Sequence, residues 1–122
     1  MPEKKKRLER EKGKKILIFG GSGFIGHALY KELCNYFDTY GTYFSNRAFT
    51  ENQQFFRYDM AEDDVFRILQ KVRPQYIISA LRGDFAAQIQ AHQHLVEYVS
   101  KYRCKLYFLS SANVFDGYSK YP

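Results

Sequence analysis

The sequence predicts a doubly wound α/β fold with about five parallel strands in the order 3-2-1-4-5. Two observations lead to this prediction. Short apolar segments typical of strands buried on both faces alternate along the chain with longer segments of helical periodicity. The first apolar segment also ends in a glycine-rich turn that opens directly into a helical segment. Alternation of this kind implies right-handed crossovers and therefore a parallel sheet.

The elements of the first half follow from apolar runs and their spacing. Residues 16–19 are Ile, Leu, Ile and Phe, an uninterrupted apolar run that predicts a buried strand. Residues 24–34 are predicted to form a helix, because apolar side chains recur every four residues from Ile25. Residues 38–44 are rich in Tyr, Thr and Phe, which favour strands, and residues 54–58 are predicted to be a short third strand.

The second half repeats the alternation. Residues 61–72 are predicted to form a helix with one apolar face, and residues 76–81 return as a buried strand. Residues 84–101 predict a long helix with Asp84 as its N-cap. Residues 105–110 then form the fifth strand, which completes a sheet of the predicted order.

The composition is that of one small globular domain with a basic tail. Hydrophobic residues make up 45% and charged residues 26% of the 122 residues, which excludes a disordered or collagen-like chain. Residues 1–15 hold eight Lys or Arg and three Glu side chains, so this segment carries +5 of the formal net charge of +6. We expect residues 1–14 to form a disordered tail and residues 15–122 to form the domain.

Export and membrane insertion are not predicted. The basic start leads into Gly13 and a strand, without the apolar stretch of a secretory leader. No apolar run approaches the roughly 20 residues that span a bilayer. We therefore expect a cytoplasmic protein. Cys34 and Cys104 each lie in an apolar segment, so in a reducing compartment we expect thiols that fill the core rather than a disulfide. Neither cysteine has the spacing of a metal site.

Gly20, Gly23 and Gly26 connect the first strand to the first helix. In such a turn the first glycine permits a tight bend, the second lets the backbone approach a pyrophosphate, and the third lets the helix pack closely on the sheet. The amide groups that begin the helix, at Phe24 and Ile25, would then face the phosphates. The pattern predicts a dinucleotide site in a Rossmann-type domain, although glycines at such a turn can also be purely structural.

The end of the second predicted strand bears on the choice of cofactor. It carries no Asp or Glu that could accept hydrogen bonds from an adenosine ribose 2′-hydroxyl. It continues instead into Ser45, Asn46 and Arg47, and a guanidinium beside small hydroxyl and amide groups suits a 2′-phosphate. We therefore predict that NADP is favoured over NAD. The alternative is that Arg47 is one more solvated loop cation.

Three further segments resemble those of a known family. Asp59 and Met60 follow the third predicted strand, residues 79–82 (Ser-Ala-Leu-Arg) end the fourth, and residues 109–117 are Leu-Ser-Ser-Ala-Asn-Val-Phe-Asp-Gly. From Ile16 onward the chain resembles the extended short-chain dehydrogenase/reductase family, particularly its dTDP-4-dehydrorhamnose reductase-like and NAD-dependent epimerase-like sugar-nucleotide-binding members. The resemblance implies a truncated domain that lacks the substrate lobe.

The resemblance also implies roles for residues of these segments. Asp59 would meet the adenine amino group, and the backbone of Met60 would support the adenine ring. Ala80, Leu81 and Arg82 would lie under the adenosine and nicotinamide riboses. The family has small residues where this chain has Leu81 and Arg82.

By the same resemblance Ser111 takes the position of the catalytic Ser or Thr, whose hydroxyl orients the substrate and shares its proton. Ala112 and Asn113 stand where the reductases have Asp and Tyr. The family's chemistry depends on a Tyr-x-x-x-Lys pair in which the lysine lowers the tyrosine pKa, and no tyrosine of this chain has a lysine four residues later. The expected function is therefore the NAD(P)-binding domain of a sugar-nucleotide reductase or epimerase, inactive alone. The alternative is a non-enzymatic dinucleotide sensor or scaffold.

The expected partners follow from the same arguments. A nucleotide sugar is the substrate class that the resemblance implies, and an uncovered edge at the fifth strand predicts homo-oligomers. We expect no membrane partner and no nucleic-acid partner; the basic tail is the one segment suited to contact nucleic acid. No metal site is expected, because His92 and His94 lie two residues apart on a predicted helix and so point to different faces.

Overall fold

The structure is a computed structural model, and it describes residues 13–109. Most of the predicted basic tail therefore lies outside the described residues. The elements in chain order are β1 (Lys15–Phe19), α1 (Phe24–Leu33), β2 (Asp38–Tyr43), a 3₁₀ helix (Arg47–Phe49), β3 (Phe55–Arg57), α2 (Val65–Val72), β4 (Tyr76–Ser79), α3 (Phe85–Lys101) and β5 (Lys105–Phe108).

The five strands pair in parallel in the order β3-β2-β1-β4-β5, which confirms the predicted topology. Residues 16–19 of the central strand β1 are at most 4% exposed. The chain leaves β1 toward β2 and leaves β4 toward β5, so right-handed crossovers put α1 and α3 on opposite faces of the sheet. Helices α2 and α3 pack against each other on one of these faces. A crevice therefore opens between the ends of β1 and β4.

The main core lies between the sheet and the layer formed by α2 and α3. Leu17, Phe19 and Ile77 contribute to it from the sheet, and each is fully buried. The two helices contribute the buried residues Val65, Ile68, Leu69, Val72, Ala91, Leu95 and Tyr98. Burial of one aliphatic side chain stabilises a fold by about 1.5–3 kcal/mol. This layer therefore fixes α3, and with it the loop that precedes α3, on the sheet.

Aromatic contacts cover the opposite face of the sheet beneath α1. The ring of Tyr30 lies 4.7 Å from that of Phe55, and Phe49 of the 3₁₀ helix lies 4.4 Å from the same ring. His27 adds an edge-on contact to Phe49 at 5.2 Å. Gly41 makes room for Phe55, because a Cβ at residue 41 would come within 2.6 Å of the Phe55 ring. One buried ring thus anchors the 3₁₀ helix to the sheet.

Helix α1 does not bury the apolar stripe that its sequence predicts. Leu29 and Leu33 are half-buried, Ile25 is 42% exposed, and Gly26 is the one buried residue of the helix. The helix therefore approaches the sheet through a glycine rather than through a row of leucines. Its first turn lies close to β1, and Ile25 is left at the edge of the sheet.

Helix α2 begins at Val65, later than the predicted residue 61, because acidic side chains form a turn of their own before it. The amide of Asp59 donates to Oδ2 of Asp63 at 2.8 Å, and the amide of Asp63 donates to the carbonyl oxygen of Asp59 at 2.7 Å. Asp64 then caps the helix by accepting from the amide of Phe66. Short carboxylates that bond nearby amides compete with helix formation, and apolar spacing alone does not reveal them.

Two further differences from the predictions concern a strand end and a cysteine. Strand β4 ends at Ser79 rather than at Leu81, so Ala80 and Leu81 leave the sheet at its carboxyl edge. Cys34 and Cys104 are free thiols, and Cys104 is half-buried. The prediction that Cys34 fills the core is wrong, because it is exposed at the end of α1.

Helix α3 begins where the sequence predicts. Oδ2 of Asp84 accepts a hydrogen bond from the amide of Ala87 at 2.9 Å, so Asp84 is the N-cap. The helix spans 17 residues. Within residues 13–109 neither this helix nor the others are long and apolar enough to cross a membrane.

The two histidines of α3 take different partners. Nε2 of His92 lies 2.8 Å from Oγ of the buried Ser79, and the His92 ring packs on Phe108 with centroids 4.5 Å apart. His94 instead lies against Phe66 of α2. Burial lowers the pKa of His92 below its ordinary value. A neutral imidazole therefore ties α3 to β4 and β5.

We expect the free energy of unfolding to fall as the pH drops below about 6.5, the ordinary pKa of histidine. Because the pKa of His92 is lowered in the folded chain, the unfolded state takes up a proton first, and stability is lost as the pH approaches the folded-state pKa. Above the ordinary pKa both states are neutral and the full stability is present. Denaturant unfolding of the wild type and of His92→Gln, from about pH 5 to pH 8, checks this. If the free energy of unfolding depends on pH equally in the two proteins, this expectation is wrong.

Candidate functional site

A cleft of about 920 Å³ opens at the carboxyl edge of the sheet, where β1 and β4 end. One wall is formed by the turn between β1 and α1, and the other by the loop between β4 and α3. The ends of β2 and β3 contribute Thr42, Tyr43, Phe44 and Tyr58 to the lining. Parallel α/β sheets bind their ligands in the crevice where connections leave to opposite faces, and the cleft occupies that place.

The backbone of Gly20 holds the turn after β1. Its φ of 82° lies in the left-handed region that favours glycine. Its amide donates to Oγ1 of Thr42 at 2.8 Å, and its carbonyl oxygen accepts from the amide of Gly23 at 3.1 Å. A Cβ at residue 20 would come within 2.8 Å of the carbonyl oxygen of Ala80. The turns after β1 and β4 therefore pack backbone against backbone.

Gly26 allows α1 to start directly on that turn. A Cβ at residue 26 would overlap the carbonyl oxygen of Gly20 and would also press on the Cα of Gly21 at 3.0 Å. Both neighbours are backbone atoms, which cannot rotate away as a side chain can. The close approach therefore requires glycine at this position.

Gly23 occupies the N-cap position of α1 and leaves the helix end open. It makes no side-chain capping bond, and the first turn of α1 contains no acidic residue. A Cβ at residue 23 would lie 3.4 Å from the carbonyl oxygen of Gly20, which is ordinary contact. The fold itself therefore tolerates a side chain at residue 23. Glycine at this position instead leaves room for a ligand in the cleft to approach the backbone.

The predicted cofactor-binding residues fall into two groups. Eight of them line the cleft: Gly20, Gly23, Phe24, Ile25, Gly26, Ala80, Leu81 and Arg82. The other five lie at the ends of β2 and β3 and are not part of the lining: Ser45, Asn46, Arg47, Asp59 and Met60. The predicted catalytic residue Ser111 lies outside residues 13–109.

At the end of β2, the side chain of Asn46 is engaged in local structure. The side chain of Asn46 accepts from the amide of Ala48 at 3.0 Å and caps the 3₁₀ helix, and Arg47 is exposed at the start of that helix. Phe44 does line the cleft, with 54% of its surface exposed. The guanidinium carbon of Arg57 lies 5.6 Å from the Phe44 ring centroid. The sequence had not singled out Arg57, which is the cation in contact with the lining here.

At the end of β3, Asp59 and Met60 are likewise engaged outside the cleft. Oδ1 of Asp59 accepts a hydrogen bond from the amide of Ala61 at 3.0 Å, so the carboxylate stabilises the turn in which it lies. Met60 is half-buried against the main core. Its Cε would lie 3.4 Å from a Cβ at Gly83. The loop between β4 and α3 thus reaches across to the end of β3.

Sequence reasoning missed other lining residues: Ser22, Thr42, Tyr43, Phe44, Tyr58, Gly83, Phe85, Gln88 and Leu109. Thr42 can be recognised as part of the cleft only through its hydrogen bond to Gly20, which lies 22 residues earlier in the chain. Tyr58 is buried, and its burial, with carboxylates nearby, raises the pKa of its phenol to about 12. Nε2 of Gln88 donates to the carbonyl oxygen of Leu81 at 2.8 Å. In the sequence, the only sign of this hydrogen bond is that Gln88, in the first turn of α3, is polar.

The cleft fits the diphosphate of a dinucleotide. The first-turn amides of a helix have no carbonyl partners within the helix, and an uncapped N-terminus attracts an anion. The glycine turn removes the side chains that would stand between those amides and a phosphate. Within residues 13–109, no cluster of three or more His, Cys, Asp or Glu side chains is placed to hold a metal ion.

The fold and the cleft together define a nucleotide-binding domain of the Rossmann type. The sequence profile of the NAD-dependent epimerase/dehydratase family matches residues 16–121. The chain therefore belongs to the NAD-dependent epimerase/dehydratase family, in agreement with the resemblance seen in the sequence. A comparison with curated protein sequences gave no significant match.

Several solved structures are similar to this chain in fold. L-threonine 3-dehydrogenase from Trypanosoma brucei superposes with a TM-score of 0.64 at 13% identity, over 79% of this chain and 36% of its own. dTDP-glucose 4,6-dehydratase from Bacillus anthracis, solved in complex with NAD, superposes with a TM-score of 0.58 at 16% identity, over 81% of this chain and 38% of its own. A structure from the pinoresinol-lariciresinol and phenylcoumaran benzylic ether reductases gives 0.50 at 21% identity, over 73% and 33%. The chain thus spans about a third of the length of these proteins.

Replacing Gly26 by alanine is expected to lower the free energy of unfolding by about 1–3 kcal/mol. Overlap with the fixed backbone of Gly20 outweighs the roughly 1 kcal/mol by which alanine favours a helix. Gly13→Ala is the matched control, because a Cβ at residue 13 meets nothing within 4 Å. Denaturant unfolding monitored by circular dichroism compares the two variants, and equal stabilities would show that the turn does not need its glycine.

Proposed function

We propose that this chain binds the dinucleotide cofactor of a sugar-nucleotide reductase or epimerase of the extended short-chain dehydrogenase/reductase type. The observation that carries the proposal is the turn from Gly20 to Gly26 at the edge of the sheet, with the uncapped start of α1 open to the cleft. Family membership supports this choice of ligand, as does the NAD complex of the dehydratase neighbour. The bound cofactor would supply hydride transfer at its nicotinamide ring.

The chain's own residues would hold the cofactor in three places. The first-turn amides of α1 would bind the diphosphate. Phe44 offers an exposed ring face at the end of β2, where stacking on an adenine is expected. Ala80 and Leu81, which leave the sheet after β4, would pack beneath the riboses.

Within this proposal the chain prefers NADP to NAD. Residues 44–50, which follow β2 directly, include no carboxylate that would repel a 2′-phosphate. Two guanidinium groups, of Arg47 and Arg57, lie at this end of the sheet, and Arg57 contacts the lining ring of Phe44. Guanidinium groups bind phosphate with paired, charge-assisted hydrogen bonds.

Calorimetric titration with NADPH tests the proposal, with Gly23→Ala as the decisive variant. The added Cβ fits the fold but projects where the backbone would approach the diphosphate, so we expect NADPH affinity to fall about tenfold or more. Gly13→Ala, the same change at an open position, should leave the affinity unchanged. Absence of NADPH and NADH binding by the wild type would overturn the proposed function.

The same titrations measure the cofactor preference. We expect NADPH to bind more tightly than NADH, because only NADPH carries the 2′-phosphate, and Arg47→Ala to reduce that difference by about tenfold. If Arg57→Ala removes the difference and Arg47→Ala does not, the 2′-phosphate is bound from β3 instead. A wild type that binds NADH more tightly would refute the preference for NADP.

We expect no sustained turnover of a nucleotide sugar by this chain alone. The sequence contains no Tyr-x-x-x-Lys pair, without which a tyrosine keeps a pKa too high for proton exchange near neutral pH. Absorbance at 340 nm follows NADPH consumption by a reductase, and chromatography of the dTDP- and UDP-sugars follows epimerisation, which consumes no net cofactor. Steady conversion by either measure would disprove this expectation. Binding without turnover is also what a dinucleotide sensor or scaffold would show, so that alternative function stays open beside the first.

We also propose that copies of the chain associate. Strand β5 forms one edge of the described sheet, and Tyr107 and Phe108 on it are 50% and 46% exposed. Val96 on the neighbouring α3 is 50% exposed, so exposed apolar side chains lie at and near an edge of the described sheet. The nucleotide sugar as substrate, the cytoplasmic location and the absence of a nucleic-acid partner stay predictions.

A further inference from the structure

Arg82 gives the cleft a charge that the glycine turn does not supply. Among the described residues that line the cleft, Arg82 is the only one with a charged side chain. The others are glycines, aromatic and aliphatic residues, and small polar side chains. An isolated cation in a cleft without carboxylates attracts an anionic ligand.

The loop around Arg82 is fixed on both sides. Gln88 holds its first part, because Nε2 donates to the carbonyl oxygen of Leu81 at 2.8 Å. Gly83 follows with a φ of 128°, a conformation that side chains rarely adopt. The next residue, Asp84, uses its carboxylate to cap α3 through the amide of Ala87, so it is committed to the helix. Within residues 13–109, Arg82 has no ion pair or hydrogen bond to another side chain.

The topology places Arg82 across the crevice from the start of α1. The two walls of the cleft are the connections that leave β1 and β4 for opposite faces of the sheet. One wall contains the amide groups at the uncapped end of α1, and the other contains Arg82. A group bound between them would meet positive charge from both sides.

We propose that Arg82 binds the diphosphate of the dinucleotide from the side opposite α1 and so acts as a second phosphate-binding element of the cleft. This inference rests on the proposed function, since it assigns a residue to the same site. It differs from what the family resemblance implies, which is a small residue beneath a ribose at this position. The diphosphate of a nucleotide sugar shares this chemistry, so the experiment must separate the two ligands.

The test is isothermal titration of the full chain with ADP, adenosine, NADPH and dTDP-glucose, for the wild type, Arg82→Gln and Arg82→Lys. Arg103→Gln is the matched control, because it removes the same charge from an exposed position outside the cleft. Loss of a charge-assisted hydrogen bond to phosphate is expected to weaken ADP and NADPH about tenfold in Arg82→Gln. Arg82→Lys should retain part of the affinity, since it keeps the charge but not the paired donors.

Five outcomes separate the hypotheses. Weaker ADP and NADPH binding in Arg82→Gln, with adenosine binding and the Arg103→Gln control unchanged, supports the proposal. Unchanged ADP and NADPH affinity overturns it while the proposed function stands. An equal loss for adenosine, or a loss confined to dTDP-glucose, overturns the assignment to the dinucleotide diphosphate. A wild type that binds neither ADP nor NADPH overturns the proposed function, and this inference with it.

Discussion

The contact between the carbonyl oxygen of Gly20 and the Cα of Gly26 determines how the rest of the cleft is built. It brings the first turn of α1 against the end of β1, at a distance that admits no Cβ. Because Gly20 also packs on the backbone of Ala80 and bonds Thr42, one turn sets the positions of the ends of β1, β2 and β4 together. A side chain at either glycine would push the walls of the cleft apart.

The way α1 is held explains why its amino terminus is free. Helix α1 is held by the close approach of Gly26 and by the ring contacts of His27 and Tyr30, whereas its aliphatic residues are half-buried or exposed. The N-cap is a glycine that makes no side-chain bond. The end of α1 is thus rigid in position and unsatisfied in its hydrogen bonds, which is the combination that an anion site requires.

Local patterns were sufficient to predict the glycine turn, because it depends on neighbours in the sequence. The strand order followed from the alternation of strands and helices and from the right-handed crossovers that this alternation implies. The predicted start of α2 was wrong because the carboxylate of Asp63 accepts a hydrogen bond from a backbone amide and forms a turn where a helix was expected. Such competition leaves no trace in the spacing of apolar residues. Thr42, Phe44 and Arg57 were missed because their importance comes from contacts across strands. Residues that join the cleft through tertiary contacts are visible only once the sheet is assembled.

Backbone amides at a glycine turn bind any diphosphate, so the part of the cleft that defines the fold cannot select among ligands. At 13–21% identity the solved neighbours add the fold and nothing finer. Within the proposed function, selection would come from side chains at the cleft: Phe44 with Arg57 at one end, and Arg82 on the loop after β4. These side chains are aromatic or cationic, and this end of the cleft carries no lining carboxylate. A ligand with several phosphates and a planar base matches that set better than a neutral nucleoside does.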